Sequence, residues 1–314
     1  MTANGPAFLL NQPAGHPERR RALIVLAVSA LLFCALAPFA KVQLPAVPAF
    51  IPAYETALVV NDTITAVLLF GQYRILRSRA LLVLASGYLF TGVMTIGHAL
   101  TFPGLFAPAG LLGAGPQSTA WIYMFWHAGF PLFVLGYALL QHSQAEAAPG
   151  GALPLLVPVA AVMAAIGLLA LATSGQDLLP AIMEGNRYTP AMLATVASVW
   201  AFSLVGLAAL WRRRPHTVVD LWLCVVLCVW LFDIALSAML NGGRYDLGFY
   251  AGRIYGLLAC SLVMCELLLE NGLLYARLAH AHEAERRNGL ALAAARDDAQ
   301  SASRAKSLFL ANMS

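Results

Sequence analysis

The sequence of 314 residues contains 60% hydrophobic and only 11% charged residues, and its mean hydropathy is +0.74. These values exclude a soluble globular domain and predict a membrane protein with several spans. The net charge of +4 requires no nucleic-acid partner, because the arginines are concentrated in short loops where they orient membrane spans.

Eight apolar segments approach the ~20 residues that a helix needs to cross a bilayer core. Connections rich in Pro, Gly and Asn separate them. The predicted spans cover residues 21–38, 54–72, 79–100, 119–140, 152–173, 190–211, 217–240 and 248–272. The predicted fold class is therefore all-α integral membrane: a tail over residues 1–20, an eight-transmembrane-helix bundle over residues 21–272, and a cytoplasmic coiled-coil signalling helix.

Basic residues predict the orientation of these spans. With a cytoplasmic N-terminus, nine arginines fall on the inner side and three basic residues on the outer side, as the positive-inside rule requires. The inner group is Arg19–Arg21, Arg74, Arg77, Arg79 and Arg212–Arg214, and the outer group is Lys41, Arg187 and Arg244. An even number of spans returns the C-terminus to the cytoplasm, so we expect a multi-pass protein with both termini cytoplasmic.

The segment over residues 273–304 has the four-and-three spacing of a coiled-coil seam. Its seam, continued to the chain end, is Leu274, Leu278, Ala281, Glu285, Asn288, Leu292, Ala295, Ala299, Ala302, Lys306, Phe309 and Met313. Alanine buries little area, and the polar members are costly in a dry two-stranded core. Two interpretations stay open: a loose connector, or a marginal signalling helix that forms a parallel homodimer and repacks on small rotations.

The final run, residues 305–314, reads Ala-Lys-Ser-Leu-Phe-Leu-Ala-Asn-Met-Ser. It resembles the lead-in to the dimerisation and phosphoacceptor helix of bacterial sensor histidine kinases, in which the phosphorylated histidine follows directly. The resemblance implies that the chain stops just before that histidine and is itself non-catalytic. It also implies a bacterial inner (cytoplasmic) membrane, and a response regulator as partner of the missing kinase core.

Ionisable side chains inside the spans are candidates for a ligand site, because each is costly in a bilayer and normally faces a partner or a cavity. They are Glu55, Asp62, His98, His127, Asp233, Arg253 and Glu266. At about 1.5 Å rise per residue, all but Glu266 lie in the outer half of the bundle. We therefore predict a small-molecule ligand there, amphipathic or membrane-soluble, beneath outer loops 39–53 and 101–118 that act as a lid.

Asp233 and Arg253 lie at similar depth on the last two spans, which form a hairpin. They form either a structural ion pair or a ligand site, in which Arg253 binds an anionic or carbonyl group and Asp233 orients the guanidinium. Asn61 and Asp62 lie deeper, in the second span. They either hydrogen-bond neighbouring helices or form a proton-coupled switch.

His98 and His127 lie at matched depth on consecutive antiparallel spans. Two such imidazoles can hold haem or a copper ion, which makes a redox or gas sensor an alternative function; a hydrogen-bonded core role is the other interpretation. The fourth span begins with the aromatic residues Trp121, Tyr123, Phe125 and Trp126. We interpret them as an interfacial belt, with the lining of a ligand pocket as the alternative.

Five stretches resemble the fourth class of membrane-associated sensor (MASE) domains. They are Phe50–Leu58, Asn61–Ala66, Gln72–Arg79, Phe102–Phe106 and Trp121–Pro131. This family is an integral-membrane input module found ahead of histidine kinases and diguanylate cyclases, and the resemblance covers roughly residues 20–275. It implies positions 54, 55, 61, 62, 98 and 127 as site candidates.

The combined prediction is a membrane-embedded sensory input domain that signals through its last span and coiled coil to a histidine kinase. An input domain of a diguanylate cyclase is the nearer alternative, and a transporter or membrane redox enzyme leaves the kinase-like run unexplained. The candidate ligand-binding residues are Tyr54, Glu55, Asn61, Asp62, His98, Trp126, His127, Asp233 and Arg253, with His98 and His127 also the candidate metal ligands.

Overall fold

The computed structural model describes residues 13–141, 152–185, 187–214 and 216–312. Most of the predicted tail over residues 1–20, the predicted connection at residues 149–151 and the last two residues of the kinase-like run lie outside these ranges. Within them, eight helices are long and apolar enough to span a membrane, which confirms the predicted integral membrane helical fold.

The helices are α1 His16–Leu36, α2 Phe50–Leu76, α3 Arg79–Thr101, α4 Ser118–Leu140, α5 Leu153–Ala172, α6 Pro190–Arg212, α7 Val218–Ala235 and α8 Leu247–Asn312. A π-helical turn, Leu236–Leu240, extends α7. Short 3-10 helices cover Ala37–Phe39 and Gln176–Leu178, and strands β1 Met183–Glu184 and β2 Arg187–Tyr188 pair antiparallel.

The chain forms two compact units, one of them Ala7–Leu267 and the other including Leu268–Ser314. Every site described below lies in the first unit. In the second unit α8 is helical as far as Asn312, and its described side chains between residues 278 and 301 are exposed. The predicted boundaries at residues 272 and 304 fall inside α8, and the coiled-coil homodimer stays a prediction.

Local sequence sets the helix ends. Ser78 caps α3 by accepting a hydrogen bond from the Leu81 amide, and Thr217 with Asp220 forms a reciprocal capping box at the start of α7. Arg77 takes the left-handed conformation, with φ 52°, which lets the chain reverse between α2 and α3. The sequence predicted that the first span starts at residue 21, but α1 begins at His16. Pro17 favours this earlier start, because a proline in the first turn of a helix has no amide hydrogen that would lack an acceptor.

Helices α3 and α7 form the centre of the bundle, since most of their residues are buried, whereas α1 and α5 expose most of theirs. α3 packs against α2, α4 and α5, and α7 packs against α1 and α6. Leu31 and Leu155 on the peripheral helices are each 71% exposed. An apolar surface of this extent is the surface that a bilayer covers.

The connections α1–α2, α3–α4, α5–α6 and α7–α8 lie together at one end of the bundle, which we term the loop end. The Leu44 amide donates to the Tyr245 carbonyl (2.9 Å), and Gln117 Nε2 donates to the Met183 carbonyl (2.7 Å). These bonds tie the two predicted lid loops to the other two connections. The opposite end, termed the basic end, carries the nine arginines predicted to be cytoplasmic.

Candidate functional site

Two buried histidine–carboxylate pairs occupy the half of the bundle nearest the loop end. His98 Nδ1 on α3 lies 2.5 Å from Glu55 Oε1 on α2, and both side chains are at most 3% exposed. His127 Nε2 on α4 lies 3.1 Å from Asp233 Oδ2 on α7, in complete burial. Each pair offsets the cost of placing ionisable groups inside a span.

Asp233 is the most heavily bonded of these carboxylates. Besides His127 it accepts hydrogen bonds from Tyr123 Oη (3.0 Å) and Ser237 Oγ (3.0 Å). His127 Nδ1 faces a second acceptor, the Tyr123 carbonyl, at 2.8 Å. A neutral imidazole donates from one nitrogen only, so both contacts are satisfied together when the ring carries two protons or the Asp233 carboxyl carries one. We term Tyr123, His127, Asp233 and Ser237 the Asp233 cluster.

Arg253 does not contact Asp233: among the described residues no ion pair joins the two side chains. The predicted pairing is therefore wrong, both as a salt bridge and as an orienting contact. The Asp233 carboxylate approaches α8 at Gly256, three residues beyond Arg253. The guanidinium instead lies 3.6 Å from the centre of the Phe249 ring and donates to the Phe249 carbonyl at 3.0 Å.

The Arg253 side chain lines a cavity of about 40 Å³ near the loop end. We term this cavity the arginine pocket; its polar lining is His98, Thr119, Tyr123, Tyr188, Ser237, Arg244 and Arg253. Two of these residues are arginines, and the lining contributed by the described residues includes no carboxylate. Burial lowers the pKa of the Arg244 guanidinium, which lies in the α7–α8 connection, and raises the pKa of the Tyr188 phenol. The described lining of the pocket therefore carries two basic side chains, Arg244 and Arg253.

Asp62 belongs to a second, separate cluster. Thr91 Oγ1 donates to one of its oxygens at 2.7 Å, and the Cys260 thiol donates to the other at 3.0 Å. A cavity of about 10 Å³ lies beside them, with Tyr88 and Trp126 in its wall. The Tyr88 hydroxyl and the Trp126 indole nitrogen are buried, and neither has a hydrogen-bond partner within the described part of the chain. This space fits roughly one water molecule.

The nine predicted ligand-binding residues thus fall into different surroundings. His98 and Arg253 line the arginine pocket, and Glu55, His127 and Asp233 support it from behind. Asp62 and Trp126 line the smaller cavity. Asn61 donates to Ser261 at 2.7 Å, in a contact between α2 and α8. Tyr54 is buried, and its hydroxyl has no hydrogen-bond partner among the residues that the structure describes.

Five of the seven polar residues that line the pocket were not among the nine predicted ligand-binding residues: Thr119, Tyr123, Tyr188, Ser237 and Arg244. Tyr123 and Trp126 are 6% and 2% exposed, so they do not form an interfacial belt. The Tyr123 ring lies between His127 (3.8 Å between centroids) and His98 (6.1 Å). Spacing along the chain does not reveal such a position, because it depends on which face of α4 turns inward.

A stripe of small residues on α8 was also missed, although the sequence contains its signal. Gly248, Gly252 and Gly256 follow one another at intervals of four, the spacing that lets two membrane helices approach closely. A Cβ at position 252 would lie 2.6 Å from Ser237 Cβ and 2.9 Å from the Asp233 carbonyl. The stripe therefore seats α8 directly against the Asp233 cluster.

The predicted haem or copper site is not favoured by this arrangement. Both ring nitrogens of His127 are engaged in hydrogen bonds, and His98 is paired with Glu55. Among the residues that the structure describes, no group of three or more His, Cys, Asp or Glu side chains is placed to hold a metal ion. The metal assignment of His98 and His127 stays a prediction.

Comparison with protein families matches residues 45–275 to MASE4, a membrane-associated sensor, integral membrane domain. No curated protein and no solved structure matches the chain. The matched segment begins before α2, extends into α8, and includes the Asp233 cluster, the arginine pocket and the Asp62 cluster. Since the match covers most of the 314 residues, the chain belongs to the MASE4 family of membrane-embedded sensor domains.

Proposed function

We propose that this domain senses a small molecule with a carboxylate or similar oxyanion group, which binds in the arginine pocket. The observation that carries this proposal is that Arg244 and Arg253 line the same cavity, to which the described part of the chain contributes no carboxylate. An arginine presents a planar fork of donors that matches a carboxylate. The Asp233 carboxylate, which would compete for the guanidinium, is engaged by His127, Tyr123 and Ser237.

The size of the pocket supports a small head group. A cavity needs roughly 10–15 Å³ for each water molecule, so about 40 Å³ accommodates the three heavy atoms of a carboxylate. Phe102, Met183, Met192 and Phe249 complete the wall. Apolar walls with a few convergent polar groups are typical of small-molecule sites and suit an amphipathic ligand.

Transmission runs through α8 in this proposal. Arg253 lies on α8 between Gly252 and Gly256, where the helix seats against the Asp233 cluster. A ligand that binds more tightly to one packing arrangement of α8 than to another shifts the equilibrium between the two arrangements by this difference in binding free energy. A coupling free energy of about 1–3 kcal/mol is typical of such systems. The signal then passes through a homodimeric coiled coil to a histidine kinase core and its response regulator.

The orientation is part of the same proposal. We place the loop end at the periplasmic side of a bacterial inner membrane and both termini in the cytoplasm. The nine arginines of the basic end support this orientation. The kinase-like run at residues 305–314 supports the same assignment, because a kinase core requires cytoplasmic ATP.

Binding to the purified protein in lipid nanodiscs tests the ligand class. The probes are hexanoate and decanoate, with hexanol and decanol as uncharged counterparts, measured by calorimetry. We expect carboxylates to bind in preference to alcohols, and Arg253→Gln to weaken carboxylate binding about ten- to hundred-fold, because a hydrogen bond to a charged group contributes about 1.5–3 kcal/mol. Arg253→Lys, which keeps the charge but loses the fork, should fall between.

Arg187→Gln is the matched control, because Arg187 is exposed near the loop end and does not line the pocket. Arg244→Gln is a second test, placed in a connection and not in a span. Equal binding of carboxylates to wild type, Arg253→Gln and Arg244→Gln would overturn the proposed site. A kinase fused after Ser314 that responds to the same carboxylates, and loses that response with Arg253→Gln, would link the site to output.

A further inference from the structure

We propose that a groove at the basic end holds an anionic diacyl phospholipid as a specific, bound component of the domain. The groove lies between α1 and α6 with α7 as its floor, at the end of the bundle opposite the arginine pocket. Its volume is about 650 Å³. This inference does not depend on the ligand proposed above, since the two cavities share no lining residue.

The groove exists because α1 and α6 both pack against α7, and because the floor between them is lined by small side chains. Ala22 on α1, Ala208 on α6 and the pair Cys224 and Cys228 on α7 all face this space. Leucines such as Leu204 form the walls above this floor. The lining of this cleft is predominantly apolar, as acyl chains require, and side chains of the described residues leave it open.

The charge at the mouth of the groove selects the head group. Arg19, Arg214 and His216 line this mouth, and no Asp or Glu is among the described residues that line the groove. None of these three side chains has an acidic partner within ion-pair distance among the described residues. Basic pockets between spans on the cytoplasmic side are sites for anionic head groups.

An aromatic side chain marks the depth of the head group. The Trp211 ring is 60% exposed and lies 5.5 Å from the His216 ring and 6.0 Å from the Arg214 guanidinium. Tryptophan is enriched where acyl chains meet head groups. The lining therefore changes from basic through aromatic to apolar in the order in which a phospholipid changes from phosphate through glycerol to hydrocarbon.

Native mass spectrometry tests this site with the protein released from nanodiscs that contain equal amounts of phosphatidylglycerol and phosphatidylcholine. We expect wild type to retain phosphatidylglycerol preferentially. The double variant Arg19→Gln/Arg214→Gln should lose this preference by about 30-fold, which is about 1 kcal/mol per arginine at about 1.4 kcal/mol per factor of ten. The control Arg74→Gln/Arg212→Gln removes the same charge from exposed arginines outside the groove and should retain the preference.

A second variant tests the apolar part without changing charge. Ala208 is exposed toward the groove, so Ala208→Phe fills the acyl space and should reduce the amount of retained lipid while the protein stays folded. No preference for phosphatidylglycerol in wild type, equal loss in the control double variant, or unchanged retention by Ala208→Phe would each overturn the proposal. Displacement of the lipid by inorganic phosphate alone would also overturn the proposal, because the site would then recognise a free phosphate and not a diacyl phospholipid.

Discussion

Replacing Gly256 with alanine probes the contact that seats α8 against the Asp233 cluster. A Cβ at this position would lie 2.7 Å from the Tyr54 hydroxyl and 2.8 Å from Asp233 Oδ2. Both distances are shorter than real Cβ contacts, so an atom must move. Asp233 is held by His127, Tyr123 and Ser237, and it cannot retreat without stretching these bonds.

The magnitude follows from opposing effects. Alanine is favoured over glycine inside a helix by about 1 kcal/mol, whereas overpacking a filled interior costs about 1–3 kcal/mol. Each hydrogen bond loosened at Asp233 costs about 1 kcal/mol more. With one hydrogen bond loosened, we therefore expect Gly256→Ala to lower the free energy of unfolding by about 1–3 kcal/mol, and to weaken any response that depends on α8.

The matched control is Gly71→Ala on α2, where a Cβ would meet nothing within 4 Å. Both alanines carry the same intrinsic helix preference, so the difference between the variants isolates the contact at α8. Unfolding in SDS, followed by circular dichroism in mixed micelles, gives the two free energies. The reasoning is refuted when Gly256→Ala is as stable as Gly71→Ala.

Three further predictions concern the other polar groups. His98→Leu leaves Glu55 buried without its partner and should lower the free energy of unfolding by about 3 kcal/mol, most of which Glu55→Leu/His98→Leu recovers. Thr91→Val removes a donor from Asp62 and should cost about 1–3 kcal/mol; an unchanged unfolding midpoint contradicts this. Burial raises the pKa of the Tyr188 phenol, so the free energy of unfolding should decrease as the pH rises above ~10, where the unfolded state loses this proton first. Tyr188→Phe should make this decrease smaller when unfolding is measured over an alkaline pH series.

Hydropathy predicted the spans well, because each helix must cover the bilayer with apolar side chains whatever its neighbours are. The predicted span over residues 119–140 and the observed α4, Ser118–Leu140, differ by one residue. The polar residues inside the spans include several that border the arginine pocket or contact its lining, among them His98, His127, Asp233 and Arg253. Depth along the spans therefore predicted which half of the bundle these residues share.

The sequence did not predict which polar side chains contact one another. Position along a helix gives the depth of a side chain in the bundle, but a contact also requires that the side chain lies on the face turned toward its partner. Each successive residue of a helix turns its side chain by about 100°, so two residues at one depth can face different neighbours. Asp233 and Arg253 share a depth but meet different neighbours, His127 and Phe249. The residues that decide the facing are Gly252 and Gly256, which carry no chemistry of their own.

The π-helical turn Leu236–Leu240 has a consequence for how this family can vary. A π turn accommodates one more residue than the α-helix it interrupts, and here it presents the Ser237 carbonyl to the Tyr188 hydroxyl at 2.8 Å. Because the turn itself absorbs the extra residue, deleting one residue from it would restore regular winding and leave the segments on either side in register. The Ser237 carbonyl would then accept the hydrogen bond of a regular helical turn and give up its contact with Tyr188. A one-codon deletion would thus cost the fold one contact between the α5–α6 connection and the end of α7, while every span stays intact.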